Sequence, residues 1–331
     1  MTTRLVTVFG GSGFIGRHLV QRLAARGWRV RVAVRDPDGA AFLSPLGDVG
    51  QIIPLYADIT NKASVAAVVD GAHWVVNAVG ILTEHGRSNF QSIHVDGAGN
   101  IAAAAAAAGV KGLAQISAIG ADAQSPAAYA RSKAAAEEAV LAAFPTAVIL
   151  RPSVVFGPED DFFNRFATMT SFSPILPVIV TRGFSLLPGS ETTGCPLFGN
   201  GGPRLQPVYV GDVADAIFNA LSQPAWAGKI FELGGPEVLS LKQILEMVLR
   251  ATGRRRILLP LPLAVARIQA QLMRILPNPP LTTDQIKLLS IDNVVSDGAL
   301  GLADLGIAAT AAESVVSRYL GRFRNPYAPA A

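Results

Sequence analysis

The sequence of 331 residues contains a single cysteine, Cys195, and four histidines. One thiol cannot form an internal disulfide, and scattered imidazoles with one thiol make no metal-ligand set, so no metal site is expected. The near-absence of cysteine fits a reducing compartment. Charged residues are scarce, at 16% against 50% hydrophobic, and mean hydropathy is +0.37. No apolar run is nevertheless long enough to cross a bilayer, and the stretch from Ile257 to Ala266 is interrupted by Pro260 and Pro262. A secretory leader is not expected either, because Met1-Thr2-Thr3-Arg4 leads straight into a β-rich run without a small-residue cleavage site. The formal net charge of +4 comes from dispersed basic residues, which argues against a nucleic-acid partner. The apolar surplus has two readings: a large alanine-rich core, or apolar surface covered by a partner or by lipid.

What is present is a strand–helix alternation. Leu5 to Phe9, Arg29 to Val34, Ile52 to Tyr56, Trp74 to Asn77, Leu113 to Ser117 and Ala147 to Leu150 read as strands. Between them, Phe14 to Arg26 carries apolar residues at helical spacing, Ile101 to Ala108 is an alanine-rich helix stopped by Gly109, and Ala127 to Ala143 is a third helix. Such alternation predicts an α/β fold, a doubly wound parallel sheet of Rossmann type with a smaller mixed α/β carboxyl-terminal region. Residues 171–207 are rich in proline, glycine and serine and show little periodicity, so a long loop or insertion is expected there. Val208 to Ala220 resumes a strand-then-helix pattern, Lys229 to Leu233 reads as a strand, and Leu239 to Thr252 and Leu263 to Leu276 read as helices. The expected organisation is a dinucleotide-binding domain over 1–160 with 206–223 returning to it, an insertion over 161–205, and a smaller domain and tail over 224–331.

The first strand runs into Gly10-Gly11-Ser12-Gly13-Phe14-Ile15-Gly16, which opens the first helix. Gly10 suits a tight turn, Gly13 allows the backbone to approach a pyrophosphate, and Gly16 suits close helix–sheet packing. The helix amino terminus then offers free N–H groups and the positive end of its dipole to phosphates. The end of the second strand selects the nucleotide. Arg35 there suits the 2′-phosphate of NADP through a charge-assisted fork, and Arg17 is placed to reach the same phosphate. The neighbouring Asp36 keeps NAD open. Asp58 and Ile59 close the third strand at the adenine edge. Ala78, Val79 and Gly80 follow Asn77 at the end of the fourth, where small side chains permit close cofactor approach.

Tyr129 and Lys133 stand four apart on one helix face. An ammonium beside a phenol favours the phenolate and lowers a pKa that starts at about 10. Such a tyrosine serves as acid or base in carbonyl–alcohol interconversion, and the lysine is placed to bond the nicotinamide ribose.

Gly10 to Gly16, Asn77 to Gly80, the Tyr129/Lys133 pair and Arg151-Pro152 with Val155-Phe156-Gly157 resemble the extended and atypical short-chain dehydrogenase/reductase superfamily over residues 4–235. The resemblance implies a cofactor site of Gly10, Gly13, Phe14, Ile15, Gly16, Arg17, Arg35, Asp58, Ile59, Ala78, Val79, Gly80, Ser117, Tyr129, Lys133, Pro152 and Val155, with Tyr129 and Lys133 also as the catalytic pair. It also implies a catalytic alcohol after the fifth strand, but Ser117 falls early and that position holds Ile119. An aliphatic side chain cannot polarise a carbonyl.

A narrower resemblance rests on Phe144 to Ser153, Gly157 to Asn164, Gln206 to Val210, Leu281 to Gln285 and Asp304 to Ile307. These blocks are similar to the nucleotide-binding accessory subunits of respiratory complex I, in a bacterial form. That resemblance implies a tightly held NADP(H) with a mainly structural role, other complex I subunits as partners, and a peripheral place on the cytoplasmic side of the inner membrane. The run Arg254-Arg255-Arg256 beside Ile257-Leu258-Leu259 reads as a solvated helix end, or as contact with an acidic partner or, through residues 254–280, with acidic lipid headgroups. The alternatives to an accessory subunit are an independent NADP-dependent reductase or nucleotide-sugar epimerase/dehydratase, and a nucleotide-sensing regulator.

Overall fold

Short valine- and isoleucine-rich runs separated by amphipathic segments form the expected alternation in the computed structural model, which describes residues 4–86, 88–180, 201–273 and 283–324. In chain order the first elements are β1 (Leu5–Phe9), α1 (Phe14–Ala25), β2 (Arg29–Val34), β3 (Ile52–Tyr56), α2 (Lys62–Val69), β4 (Trp74–Asn77), α3 (Gly97–Ala107), β5 (Gly112–Ile116), α4 (Ala128–Ala143) and β6 (Val148–Pro152). Next come β7 (Val155–Phe156), α5 (Phe162–Phe172), β8 (Ile175–Val180), β9 (Arg204–Leu205), β10 (Val208–Tyr209), α6 (Val210–Ser222) and β11 (Ile230–Leu233). The chain continues through β12 (Leu239–Ser240), α7 (Leu241–Thr252), β13 (Ile257–Pro262), α8 (Leu263–Met273), α9 (Thr283–Leu288) and α10 (Ala312–Leu320).

The chain forms two units. The larger comprises Met1–Pro152, Val210–Leu233 and Ser296–Ala309. Its 7-stranded sheet runs β11-β6-β5-β4-β1-β2-β3, with every neighbouring pair parallel. The chain winds one way from β1 to β3 and the other way from β4 onward, so the β1/β4 boundary is the switch point at which such sheets bind ligands. Valines at 6, 8, 32, 75 and 76 are inaccessible to solvent, as expected of strands covered by helices on both faces. Helix α3 buries Ile101, Ala102 and Ala105 against Leu113 and Ile149, and Gly109 ends it with φ +65°. Each fully buried leucine or isoleucine contributes roughly 1.5–3 kcal/mol.

The smaller unit comprises Ser153–Tyr209, Gly234–Val295 and Thr310–Ala331. The boundary therefore falls after Pro152 rather than at 160, and Ser296–Ala309 returns to the larger unit. Phe156, Phe163, Ile244, Val248, Val316 and Leu320 form a core among α5, α7 and α10. A capping box of Ser240 and Gln243 starts α7, and Gly253, in the left-handed region at φ +60°, ends it.

The stretch expected as a loop or insertion, 161–205, carries regular structure in its described part. Phe162–Phe172 is helical, and Ile175–Val180 pairs in parallel with Ile257–Pro262. Among the described residues each strand of this two-stranded sheet has a ladder on one side only, so the missing N–H of Pro177, Pro260 and Pro262 can face away from it. Residues 181–200, with Cys195, lie outside the described residues, as does the end of the helix expected to reach Leu276. The basic run is not simply a solvated helix end. Arg254 Nε donates to the Phe323 carbonyl (3.1 Å) and Arg256 Nε to that of Thr170 (2.9 Å), leaving Arg255 exposed.

Candidate functional site

The glycine loop leaves β1 at the switch point. Gly10 has φ +72°, and a Cβ there would lie 3.0 Å from the Ala78 carbonyl carbon and 3.1 Å from Val79 N. Gly10 therefore makes the turn and also lets the loop lie against the end of β4. Gly13 is exposed and precedes α1 as its cap, with no side-chain hydrogen bond to the first turn and no acidic residue in it. The amides of Phe14 and Ile15 have no partner four residues back within the helix and keep their donors for a ligand. The role of Gly16 differs from the one expected. Its Cβ would fall 2.2 Å from Gly10 O and 2.6 Å from Gly11 Cα, so Gly16 permits the helix to pack on the loop itself rather than on the sheet. Gly11 also matters, since a Cβ there would meet Val32 Cγ1 at 2.8 Å.

Arg35 is exposed at the end of β2 and makes no hydrogen bond or ion pair among the described residues. Arg17 is less free: it donates to Ser12 O (3.0 Å) and Gly13 O (3.3 Å) and lies over the Phe42 ring. Asp58 Oδ1 accepts from the amide and hydroxyl of Thr60 (2.9 and 2.8 Å), which fixes the turn after β3, and Ile59 is buried against Gly97. Asn77 shapes the next loop, accepting from Val79 N (3.0 Å) while donating to Gln115 (2.8 Å). A Cβ on Gly80 would lie 3.3 Å from Lys133 Nζ. Gly10, Ala78, Val79, Gly80 and Lys133 therefore form one continuous surface. Val155 belongs to the smaller unit, where it pairs with Val208.

Around Tyr129 and Lys133 lies a polar network that sequence reading missed. Lys133 is buried, and its Nζ donates to Ile116 O (3.3 Å). Burial lowers its pKa to about 8, against a smaller raising effect of Glu137. The half-buried Tyr129 does not acquire the lowered pKa expected of it, because burial pushes the phenol up to about 12. At neutral pH it is a proton donor, not a phenolate. Ile119 is buried where the catalytic alcohol was expected, its amide donating to Pro152 O (3.0 Å). The Ser117 hydroxyl is turned inward and donates to Glu137. Glu137 in turn takes both arms of the Arg151 fork, at 2.9 and 2.6 Å.

His94 completes the arrangement. Its Nε2 accepts from Ile81 N (3.0 Å), so the neutral ring carries its proton on Nδ1 and donates to Ser132 Oγ (2.8 Å), which donates to Tyr129 O (2.7 Å). Burial, with the charge of Lys133, lowers the His94 pKa to about 3. The unfolded chain therefore takes up a proton below pH 6.5 that the folded chain refuses until about pH 3. Stability is expected to fall as pH drops through that window. Unfolding titrations of a His94→Gln variant should show a flatter pH dependence there, and an unchanged slope would mean that His94 ionises freely. Gln91–Asp96, which carries His94, is a π-helical turn; spacing alone gave no hint of it.

Residues 6–234 match the NAD dependent epimerase/dehydratase family. This chain belongs to that family. It is 34% identical over 333 residues to the mitochondrial NADH dehydrogenase (ubiquinone) 1 alpha subcomplex subunit 9 of Arabidopsis thaliana, which spans 97% of this chain and 78% of that protein. Over 175 residues it is 34% identical to a ceramide reductase of Caulobacter vibrioides, covering 53% of this chain and 54% of that enzyme. Two solved structures share the fold. A Thermus thermophilus UDP-glucose 4-epimerase in complex with NAD superposes with a TM-score of 0.64 at 21% identity, over 97% of this chain and 99% of that one. The Escherichia coli quinone oxidoreductase QOR2 with NADPH does so at 0.70 and 19%, over 95% and 99%. The superfamily resemblance read from the glycine loop and the Tyr129/Lys133 pair is upheld, as is the parallel Rossmann-type sheet.

Proposed function

We propose that this chain is an NADP(H)-holding accessory subunit of respiratory complex I, with a structural and assembly role, peripheral on the cytoplasmic side of a bacterial inner membrane. Similarity to the alpha subcomplex subunit over nearly the whole chain carries the reading. Residues at the Tyr129 centre support it: Ile119 replaces an alcohol and Ser117 is committed to Glu137. The glycine loop and the first-turn amides of α1 fit a pyrophosphate, and the unpaired Arg35 suits a 2′-phosphate. A bound nicotinamide supplies hydride chemistry in principle. Here Lys133 and Tyr129 serve to hold the cofactor by hydrogen bonds.

The partner-facing surface of this reading is in the smaller unit. Ile175, Ile257 and Leu259 stand exposed on one face of the β8/β13 pair, while Leu176 and Val178 are buried. Val265 and Ile268 of α8 are exposed as well, and exposed apolar residues gathered in one segment mark an interaction site. Arg255 and Arg267 beside them suit an acidic partner surface or lipid headgroups.

A second reading, an independent short-chain reductase, is favoured by the retained Tyr129/Lys133 pair and by the partial similarity to ceramide reductase. A native gel of mildly solubilised membranes from the source organism separates the two. The chain is expected to migrate in one large band with NADH dehydrogenase activity. Migration as a small free species would overturn the subunit reading in favour of the reductase.

A further inference from the structure

The smaller unit contains a cleft of about 400 Å³ that the dinucleotide reading does not use. Tyr209 and Tyr319 wall it, with Pro158 and Val315 adding apolar surface. Both rings are held in place. Tyr209 lies against Phe156 with centroids 5.7 Å apart, and Tyr319 donates its hydroxyl to Asp160 Oδ2 at 2.5 Å. The Asp160 carboxylate is fully engaged, accepting also from the amides of Gly157 (3.1 Å), Phe163 (2.6 Å) and Asn164 (3.2 Å) at the start of α5. Its charge is thus directed at a helix amino terminus and away from a ligand.

No acidic side chain is among the lining residues, and Arg318 is. Its guanidinium is exposed and makes no hydrogen bond or ion pair among the described residues. Arg322 adds a second cation nearby, reaching Pro158 O at 3.3 Å and Asn164 Oδ1 at 2.7 Å. Glu313, on the same helix as Arg318, pairs with Arg250 at 3.3 Å. Fixed aromatic walls beside an unpaired guanidinium select a flat ring bearing a negative charge. The volume lies at the small end of ligand sites, which sets the size at one or two rings.

We propose that this cleft binds a small aromatic acid, one or two planar rings carrying a single carboxylate or phosphate. Tyr209 and Tyr319 stack on or edge the ring, and Arg318 takes the anionic group.

The test is calorimetric titration of the full chain with 2-naphthoate, 2-naphthyl phosphate and the neutral 2-naphthalenemethanol, each repeated with NADPH present. Both acids are expected to bind about tenfold more tightly than the alcohol, the margin of one hydrogen bond to a charged group. Arg318→Gln should bring the acids down to the alcohol and leave the alcohol unchanged. Ser314→Trp, a substitution at an exposed position on the cleft wall, should abolish binding of all three without changing the melting temperature. The proposal is overturned by equal affinity for acid and alcohol, by acid binding that Arg318→Gln leaves intact, by binding that NADPH removes, or by no binding at millimolar ligand. A response to carboxylate alone or phosphate alone names which acid the cleft takes.

Discussion

Arg151→Met should destabilise the larger unit by about 3 kcal/mol, because it leaves a buried carboxylate without its main partner. The Glu137 side chain is 6% exposed, and its two oxygens take the Arg151 fork. A third interaction runs from Arg151 Nη1 to Glu232 Oε1 at 3.6 Å, and Glu232 Oε2 accepts from Ser296 N at 2.8 Å. One guanidinium thus joins α4, β6, β11 and the segment that returns at Ser296. Breaking a buried pair costs roughly 3–5 kcal/mol, and the 23% exposure of Arg151 places this one at the low end. At about 2–4 °C per kcal/mol, the melting temperature falls by about 6–12 °C. Trp28, Trp74 and Trp226 all lie in the larger unit and report its unfolding by fluorescence. Arg151→Lys, which keeps the charge but not the fork, should fall between wild type and Met. The double variant Glu137→Gln/Arg151→Met should recover part of the loss, since it removes the buried Glu137 charge while Glu232 still lacks its cation. A single Arg151→Met variant within about 1 kcal/mol of wild type would mean that the network behaves as a solvated surface pair.

That network also marks where the sequence stops being readable. β1 and β2 were legible because valines alternate or run together, and the glycine loop because conformational demands fix residue type at close spacing. Glu137 interacts with Ser117, 20 residues back, with Arg151, 14 residues ahead, and through Arg151 with Glu232. No local pattern announces such a set. The one available signal was that Glu137 continues the face of Tyr129 and Lys133 by another helical turn. The same limit explains Tyr129. Charge proximity alone predicts a lowered phenol pKa, but burial depends on the assembled packing and decides the sign. Strand β8 was hidden for a different reason: Pro177 argues against a strand unless the strand is known to have one neighbour, and that neighbour, β13, is some 80 positions away and carries prolines of its own. Helix α2 is short, and its start lies in the Asn61 side chain accepting from Ala63 N and Ser64 N, a cap that periodicity does not detect.

Gly16→Ala should cost more than about 100-fold in affinity for both NADPH and NADH, a loss of roughly 2.7 kcal/mol or more. The added methyl would lie 2.2 Å from Gly10 O and 2.6 Å from Gly11 Cα. Both are backbone atoms, so no side chain can swing aside; either the loop lifts from α1 or the helix start moves. Each displaces the Phe14 and Ile15 amides from the pyrophosphate they are placed to hold. Arg35→Ala tests a different part of the same site. Arg35 is exposed and bonded to nothing described, so its removal leaves the fold intact. It should weaken NADPH by about 10–100-fold, the worth of a charge-assisted fork, and leave NADH unchanged. Titration of the reduced nucleotides by nicotinamide fluorescence reads both variants. The pair separates two claims that a single variant confuses: Gly16 concerns whether a dinucleotide is held at all, and Arg35 concerns which one. If Gly16→Ala binds as wild type does, the loop is a structural turn. If Arg35→Ala lowers both nucleotides equally, selection of the 2′-phosphate is not made at the end of β2, and Asp36, the next residue, becomes the group to examine for a ribose hydroxyl.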